Sequence, residues 1–508
     1  MKSSLVAETC AGRLEGVYEK GLYAFKGVPY AAPPFGELRW FPPQPVTPWP
    51  GVRPAKAFGT VAPQPAMQFP GAPGEPEPQS EDCLYLNVFS PGLDNTRRPV
   101  MIWIHGGAFS MGSGSTQSYT TGTLAQNGNI VLVTINYRLG VLGFLNLNEV
   151  TRGRIPSTGN EGLQDQVAAL RWVKENIAGF GGDPENITIF GESAGGMSVG
   201  CLLNFPEARG LFHKAMLQSP VGEMARPLDA SVKITEVFLK TAGLSADDIS
   251  SLRALPVEIL LRAQQETAVK TEQGAAPVVP VADGIVMPRM PIESLEAGLG
   301  FKVPAVVGSN LEEDRLFSIM NQMMHKVDEV ELRRTASKYV AAEDVPTLIE
   351  AYRKARAARG QRTTPFELYS AINTDLLFRK TAVRIAEAQC KYAPGGYNYL
   401  FSWKSPAAGG ILGACHALEV AFVFGNHDAS FGGSGPEADR LSRGMQDAWV
   451  SFARTGNPSC AALGDWPRYS EGRSSMVFDR ICRVEHSVYD EELRAWDALY
   501  QLPFSNMP

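Results

Sequence analysis

Two short apolar runs limit most tightly what this chain can fold into. They occupy residues 100–104 and 130–135, and turn residues bound both of them. Neither run is long enough to cross a lipid bilayer. Apolar residues fill nearly every position, which is typical of strands that are buried on both faces of a mostly parallel sheet.

Helical patterns alternate with such strands along the chain. A segment from about Gly162 to Ile177 has apolar residues at helical spacing. A short strand at 187–190 follows, and a second helical stretch runs directly after it, from Ala194 to about Leu203. This alternation predicts an α/β architecture, with a large, mostly parallel sheet flanked by helices.

The remaining segments predict one large domain, residues 1–508, with insertions. The first 80 residues are rich in proline and glycine, which favours irregular structure and short edge strands. Within them, the loop at 62–80 is interpreted as a mobile surface loop that could border a site. Segments 227–291 and 321–394 have mostly helical patterns, and we expect them to form lid-like insertions around the site.

Composition argues against several classes of partner. The net charge of -6 is small for 508 residues and the basic residues form no runs, so we expect neither a nucleic-acid nor a membrane partner. The seven cysteines are scattered without CxxC pairs, which excludes the usual zinc spacings and favours reduced thiols. No secretory signal pattern precedes residue 15. We therefore expect a soluble cytoplasmic protein without a metal or organic cofactor; a monomer is plausible, although the sequence leaves the oligomeric state open.

The motif Gly191-Glu192-Ser193-Ala194-Gly195 has the form GxSxG. It lies between a predicted strand and a predicted helix, where a nucleophile elbow requires it. Such a sharp turn forces the serine into an unfavourable backbone conformation with its hydroxyl exposed, and the glycines allow the neighbouring chain to approach. The motif predicts Ser193 as a nucleophile; a glycine-rich packing turn is the alternative.

A second glycine-rich segment, His105-Gly106-Gly107-Ala108, follows the strand at 100–104. Attack on a carbonyl produces an oxyanion that needs preorganised donors, and backbone amides in such a loop can supply them. We assign the oxyanion hole to the amides of Gly107, Ala108 and Ala194. The alternative is a plain turn that ends the strand.

With these motifs the chain resembles the type-B carboxylesterases and lipases, which include bacterial para-nitrobenzyl esterases, liver carboxylesterases and cholinesterases. The resemblance covers almost the whole chain. It implies the α/β-hydrolase fold, hydrolysis of small-molecule carboxylic esters and no cofactor. The further stretches that carry it are residues 25–31, 38–40, 81–88, 136–138, 160–166, 452–458 and 466–467.

The resemblance also implies a catalytic triad in the chain order serine, acid, histidine. The family's acid lies in a Gly-x-x-x-Asp-Glu-Gly context after a buried strand. This context matches the segment from Gly308 to Asp314, which follows a buried strand predicted at 303–307, and assigns the role to Glu313. Asp314 replaces the usual glycine and Glu312 the usual aspartate, so Glu312 stays open as an alternative acid.

The family's histidine segment matches 416–426 and indicates His416 as the base. Among the six histidines, His427 is the alternative base, and His105 belongs to the oxyanion loop.

Other matched residues have implied structural roles. The resemblance implies two scaffold ion pairs, Arg39 with Glu81 and Arg138 with Asp165. Cys83 occupies a position that is disulfide-bonded in secreted relatives, but no cysteine lies between residues 56 and 82. The segment Gln218-Ser219-Pro220 departs from the family's Gln-Ser-Gly, which leaves the role of Ser219 open.

The function expected from these residues is that of a serine carboxylesterase that forms an acyl-enzyme intermediate. An amidase or carbamate hydrolase with the same triad is the alternative. A non-catalytic adhesion or binding relative is a third hypothesis, but such proteins lack the serine or the histidine. We expect activity on esters of short to medium acyl chains, with the substrate itself left open.

Overall fold

The structure is a computed structural model that describes residues 5–65, 77–274, 276–497 and 499. Its strands are β1 (Val6–Thr9), β2 (Gly12–Glu15), β3 (Val17–Glu19), β4 (Leu22–Pro29), β5 (Val52–Pro54), β6 (Tyr85–Ser90), β7 (Arg98–Ile104), β8 (Val131–Ile135), β9 (Gly182–Glu192), β10 (Lys214–Gln218), β11 (Arg226–Pro227), β12 (Val281–Ala282), β13 (Ala305–Asn310), β14 (Gly396–Phe401), β15 (Ser474–Phe478) and β16 (Arg483–His486).

The α-helices are α1 (Gln117–Thr120), α2 (Thr123–Gly128), α3 (Gly140–Phe144), α4 (Asn148–Thr151), α5 (Glu161–Asn176), α6 (Ala194–Leu202), α7 (Leu228–Ala242), α8 (Ile249–Ala254), α9 (Val257–Lys270), α10 (Pro291–Glu296), α11 (Asp314–Met320), α12 (Glu329–Ala336), α13 (Val345–Ala358), α14 (Pro365–Thr374), α15 (Lys380–Tyr392), α16 (Ala407–Gly410), α17 (Leu418–Val423), α18 (Pro436–Thr455) and α19 (Asp490–Asp497). A π-helical turn, Asp375–Arg379, joins α14 to α15.

An 11-stranded sheet forms the centre of the molecule, in the order β16-β15-β14-β13-β10-β9-β7-β8-β6-β4-β3. The strands from β15 to β8 run parallel to one another. The outer strands β16, β6, β4 and β3 pair antiparallel with their neighbours. Helices follow the parallel strands as crossover connections, and this arrangement is that of the α/β-hydrolase fold.

Both faces of the sheet are covered, as the apolar runs predict. Alternate residues of β7 enter different cores: Val100 and Ile102 pack with α5 and α6, whereas Met101 and Trp103 pack with α18. A strand with helices on both sides has no face in water, so its sequence shows no alternation of polar and apolar residues.

The predicted elements agree with the structure in type and differ at their ends. The predicted strand at 187–190 is part of the longer β9, and the helix predicted from about Gly162 is α5, which begins at Glu161. The strand expected at 303–307 is β13, which begins at Ala305 and continues to Asn310. Polar residues at its end belong to the strand because pairing with β14 continues through Asn310.

The segments 227–291 and 321–394 are largely helical. Helices α7, α8 and α9 of the first segment pack onto the core through Phe238, Leu252 and Leu260, with α7 beside α4 and α9 beside α3. In the second segment, α12, α13 and α14 share a small core of their own with Trp496 of α19. The last helix of that segment, α15, packs directly on β13 and β14.

Two ion pairs join segments of the chain that are distant in sequence, at the positions implied by the resemblance. Arg39 donates through Nε and Nη2 to Glu81, at 2.8 and 2.5 Å. Arg138 donates to Asp165 through Nε at 2.8 Å, Nη2 at 2.7 Å and its backbone amide at 3.0 Å. Asp165 is fully buried, so water cannot take the place of either partner in this pair.

We expect Asp165→Asn to lower the free energy of unfolding by about 3–5 kcal/mol, because it leaves the Arg138 guanidinium buried without a counter-charge. Glu207→Gln is the matched control. Glu207 pairs with Arg171 at the surface, where both side chains are 51% exposed and an ion pair contributes little. Urea unfolding of both variants measures the difference. Equal stabilities for the two variants would contradict the structural role of the buried pair.

The seven cysteines are free thiols, and Cys83 is buried. Burial raises the pKa of the Cys83 thiol, and the nearby charge of Asp165 adds to that effect. In the described part of the chain, no helix has the length and apolar character needed to cross a membrane.

Candidate active site

The candidate site lies where several parallel strands end at one edge of the sheet. Strand pairing aligns Ile104 of β7 with Gly191 of β9, and Glu192 of β9 with Gln218 of β10. Gln218 in turn aligns with Gly308 of β13. Residues that directly follow these strands therefore emerge side by side, which is the usual place for ligands in parallel α/β sheets.

Ser193 occupies the turn between β9 and α6 in a strained conformation, with φ 56° and ψ -122°. Its backbone amide donates to Gln218 O at 2.9 Å, which fixes the turn to β10. The turn also brings α6 against β7: a Cβ on Gly195 would lie 2.0 Å from Ile104 O. The elbow predicted from the sequence is thus present, and it directs Ser193 into a cavity.

His416 and Glu313 meet in the same place. Nδ1 of His416 lies 2.6 Å from Oε2 of Glu313 and can donate to it. The other oxygen of Glu313 accepts from Ser219 Oγ and from the Asn310 amide, each at 2.6 Å. Glu313 is completely buried, so these bonds hold its carboxylate in one orientation toward the imidazole.

The two alternatives left open by the sequence lie elsewhere. Glu312 accepts from the Ala414 amide at 3.0 Å and pairs with Arg315 at 2.8 Å, so it contacts the loop before His416 and not the imidazole. His427 stacks on Phe422, and its Nε2 lies 3.1 Å from Asp439. Geometry thus favours Glu313 and His416 in the two roles.

Two aromatic rings fix the plane of His416. Phe317 of α11 and Phe378 of the π-helical turn each lie 5.0 Å from the imidazole, measured between ring centroids. The imidazole therefore has a carboxylate at Nδ1 and apolar walls beside it. Neither phenylalanine is part of a sequence motif, so sequence reasoning missed both.

Glu192 is a further carboxyl group at the site; it belongs to the GxSxG motif, but the sequence analysis assigns it no role. Its Oε1 lies 3.0 Å from Nε2 of His416, on the side opposite Glu313. Burial raises the pKa of the Glu192 carboxyl to about 8, and the positive charge of His416 opposes that rise. Ser193 Oγ has no hydrogen-bond partner among the described residues. Hydrogen bonds of this kind commonly tighten only when substrate binds.

The charges of three carboxyl groups, those of Glu192, Glu313 and Glu419, act on the imidazole of His416. Burial alone would lower the pKa of His416, but the charges of Glu192 and Glu313 outweigh it and raise that pKa to about 9. Glu419 is the third carboxyl; it accepts from Gln218 at 3.1 Å and from Asn310 at 2.7 Å. Burial raises its pKa, and the charge of Glu313 adds to the effect. The site therefore favours a positive charge on the imidazole.

The glycine-rich loop that follows β7 faces the same cavity. Gly107, Ala108 and Ala194 all line it. The loop turns sharply there, with φ 108° at Gly107 and 54° at Ala108. Gly107 O accepts from two later amides, while the amides of Gly107 and Ala108 have no acceptor among the described residues. Tyr137 stacks under His105, and its hydroxyl donates to His105 O at 2.8 Å, which supports the loop from below.

The cavity has a volume of about 2100 Å³ and opens to the outside. Gln64, Pro65 and Glu77 line it, and they belong to the loop that the sequence places at a site rim. Residues 66–76 of that loop lie outside the described part of the chain. Glu77 accepts from Ser113 Oγ at 2.6 Å, which attaches the end of the loop to the cavity wall. No group of ligating side chains that could hold a metal ion occurs among the described residues.

Comparisons with known proteins agree with this site. The model of the carboxylesterase family matches residues 3–496. The para-nitrobenzyl esterase of Bacillus subtilis (strain 168) is 37% identical over 497 residues, which cover 96% of this chain and 97% of that protein. Phenmedipham hydrolase of Pseudarthrobacter oxydans is 37% identical over 480 residues, with 91% and 92% covered.

Solved structures show the same relationship. Carboxylesterase EST55 of Geobacillus stearothermophilus superposes with a TM-score of 0.86 at 42% identity, covering 97% of this chain and 100% of that one. The fold and the chemistry of its relatives define a carboxylic ester hydrolase of the α/β-hydrolase fold. The chain belongs to the carboxylesterase family, as the resemblance in its motifs predicts.

Proposed function

We propose that this enzyme hydrolyses carboxylic esters through a triad of Ser193, His416 and Glu313. The observation that carries the proposal is the buried Glu313–His416 pair, 2.6 Å apart, which opens on the same cavity as the strained Ser193 elbow. A serine hydroxyl is a weak nucleophile by itself, so it needs an adjacent base that a third group orients. These residues supply all three parts.

In the proposed mechanism, Nε2 of His416 takes the proton from Ser193 as the hydroxyl oxygen attacks the ester carbonyl. Glu313 holds Nδ1–H, keeps the imidazole in the required tautomer and stabilises its cation. The imidazolium then protonates the leaving alcohol, and an acyl-Ser193 ester remains. Water, deprotonated by His416, attacks the acyl group and releases the carboxylic acid and free Ser193.

The amides of Gly107, Ala108 and Ala194 are proposed to hold the oxyanion in both tetrahedral steps. The free amides in the loop support this role, and so does the position of Ala194 at the start of α6. Donors placed where negative charge develops stabilise the transition state without reorganisation. The positive end of the α6 dipole acts in the same direction.

We also propose that one domain, residues 1–508, carries the site, with segments 227–291 and 321–394 as insertions that shape its cavity. Ile234, Met290, Tyr339 and Val383 support this proposal because they line the cavity. A cytoplasmic location is proposed as well, since the seven thiols are free. The acyl preference is proposed to extend over short to medium chains, given the volume of the cavity.

The test is hydrolysis of para-nitrophenyl acetate, butyrate and octanoate, followed by trapping with diethyl para-nitrophenyl phosphate. This reagent phosphorylates a nucleophilic serine and releases para-nitrophenol. We expect turnover of the esters, complete inhibition at one equivalent of reagent, and a diethylphosphoryl group on Ser193 in the peptide mass spectrum. A label on any other residue, or inhibition without a label, would refute the assignment.

Glu192 gives a prediction on pH dependence. Its negative charge beside Nε2 raises the pKa of His416, and the general base must be neutral to accept the proton of Ser193. In Glu192→Gln the pKa of His416 falls, so the acid limb of the kcat/KM profile moves to lower pH, by about one unit. Profiles for para-nitrophenyl butyrate between about pH 5 and 10 measure the shift. Glu207→Gln, at the surface, is the control and leaves the limb in place.

A further inference from the structure

We propose that Arg226 is a specificity residue that binds a carboxylate on the ester substrate. This inference rests on the proposed function, because it concerns substrates of the Ser193 site. Arg226 lines the cavity that contains Ser193 and His416. The substrate class that follows is that of esters with a second, ionised carboxyl group on the acyl or the alcohol part.

The position of Arg226 connects it closely to the nucleophile elbow. The chain from Val221 to Pro227 lines the cavity after leaving strand β10, whose end accepts the Ser193 amide. This wall packs on helix α6, which begins beside Ser193: the Cys201 thiol lies 3.4 Å from Met224 O. Arg226 thus stands on a wall that is anchored to the same two elements as the nucleophile.

Arg226 itself is held firmly, but by neutral groups only. Its backbone amide donates to Pro280 O at 2.8 Å, in the short pairing of β11 with β12. Its guanidinium donates to Pro277 O at 2.8 Å and to the side-chain oxygen of Gln273. Among the described residues no carboxylate lies within ion-pair distance of it. Burial lowers the pKa of this guanidinium to about 10, and no negative charge opposes that effect.

The other arginines that line the cavity differ from it. Arg384 pairs with Glu223 at 2.7 Å and with Glu296 at 2.6 Å. Arg473 pairs with Glu387 at 2.6 Å and with Asp490 at 2.9 Å. The charges of both are balanced within the protein, whereas the charge of Arg226 is not. A half-buried positive charge without a counter-charge is unfavourable, so its place in a substrate cavity points to an anionic ligand.

A carboxylate fits this guanidinium better than other simple groups. Arginine carries five N–H donors in a planar fork, and only part of the Arg226 fork is occupied by the two protein oxygens. The fork binds a carboxylate with two charge-assisted hydrogen bonds. A site built for such a group discriminates against the neutral analogue, because the charged donor is then left without its partner.

The experiment compares two pairs of esters that differ only by methylation of a remote carboxylate. Mono-4-nitrophenyl adipate and methyl 4-nitrophenyl adipate place the charge on the acyl side. The second pair, 4-acetoxybenzoate and methyl 4-acetoxybenzoate, places it on the alcohol side. The quantity measured is the kcat/KM ratio of the anionic to the neutral ester, for wild type, Arg226→Met, Arg226→Lys and the control Lys233→Met. Lys233, on the next helix α7, is a second cation that lines the same cavity, but it is exposed and has a carboxylate partner, Asp229, at 3.8 Å.

We expect the wild type to prefer the anionic ester in one of the two pairs. The preferred pair identifies whether Arg226 contacts the acyl part or the alcohol part of the substrate. In Arg226→Met that ratio should fall by about 10- to 100-fold. Arg226→Lys should retain part of the preference because it keeps the charge. Lys233→Met should leave the ratio unchanged, because the preference comes from a direct contact with Arg226 and not from the overall electrostatic field of the cavity.

Three results would overturn the inference. The first is a wild-type enzyme that prefers neither anionic ester, and this result refutes the inference whatever the variants do. The second refuting result is an equal loss for both members of a pair in Arg226→Met, which indicates a purely structural role. The third is loss of the preference in Lys233→Met to the same extent. If neutral esters are hydrolysed in a Ser193-dependent manner in these cases, the proposed function stands without this inference. If no ester is turned over, both fail.

Discussion

Ser193→Ala is expected to lower kcat for para-nitrophenyl butyrate by about 10⁴-fold or more. The substitution removes the oxygen that forms the acyl-enzyme, and the elbow offers no second nucleophile in its place. Residual hydrolysis would come from the oxyanion hole and from binding alone. The measurement is steady-state hydrolysis, with circular dichroism to show that the variant is folded.

Ser198→Ala is the matched control for this variant. Ser198 lies on the same helix, α6, but it is buried and accepts from Gln166 at 3.0 Å. We expect its removal to leave most of the activity. A Ser193→Ala enzyme that is folded and retains wild-type turnover would remove Ser193 from the mechanism.

Glu313→Gln is expected to lower kcat by about 10³- to 10⁴-fold with a much smaller change in KM. The amide cannot stabilise the imidazolium, and its N–H₂ group, if turned toward Nδ1, favours the wrong tautomer. Ser219 and Asn310 still hold the side chain in place, so the fold should survive. The loss thus reports on the electrostatic role of the carboxylate.

The neighbouring carboxyl provides the comparison for Glu313→Gln. In Glu312→Gln, the remaining amide oxygen can still accept from the Ala414 amide, and only the pair with Arg315 weakens. We expect a decrease in kcat of about tenfold at most. If Glu312→Gln were the more damaging of the two, the acid would have been assigned to the wrong glutamate.

The sequence allowed prediction of those parts of the fold and the site that local pattern encodes. The strands β7 and β8 were recognisable because burial on both faces removes polar residues from them. The elbow was recognisable because a strand, a glycine-flanked serine and a helix are consecutive. Glu313 and His416, by contrast, are 103 residues apart, and only the resemblance to a known family connected them.

Contacts across long separations explain what was missed. His416 is in contact with Phe317, Phe378 and Glu192, which belong to three different elements. No local sequence pattern at any of the three indicates this contact. The end of β13 was misplaced for a related reason. Ser309 and Asn310 look like turn residues in sequence, but pairing with β14 satisfies their backbone groups inside the sheet. Arg226 shows no signal in sequence at all, because an unbalanced charge is a property of its surroundings.

The separate core shared by α12, α13, α14 and α19 bears on how such an enzyme can change during evolution. These helices pack on one another through their own apolar residues, whereas Ser193 and Glu313 follow the ends of strands β9 and β13. Substitutions in a helical unit of this kind disturb the sheet little, so they can accumulate without loss of the chemistry. New substrates then become accessible through changes in the helical segment, at positions where mutations spare the catalytic machinery.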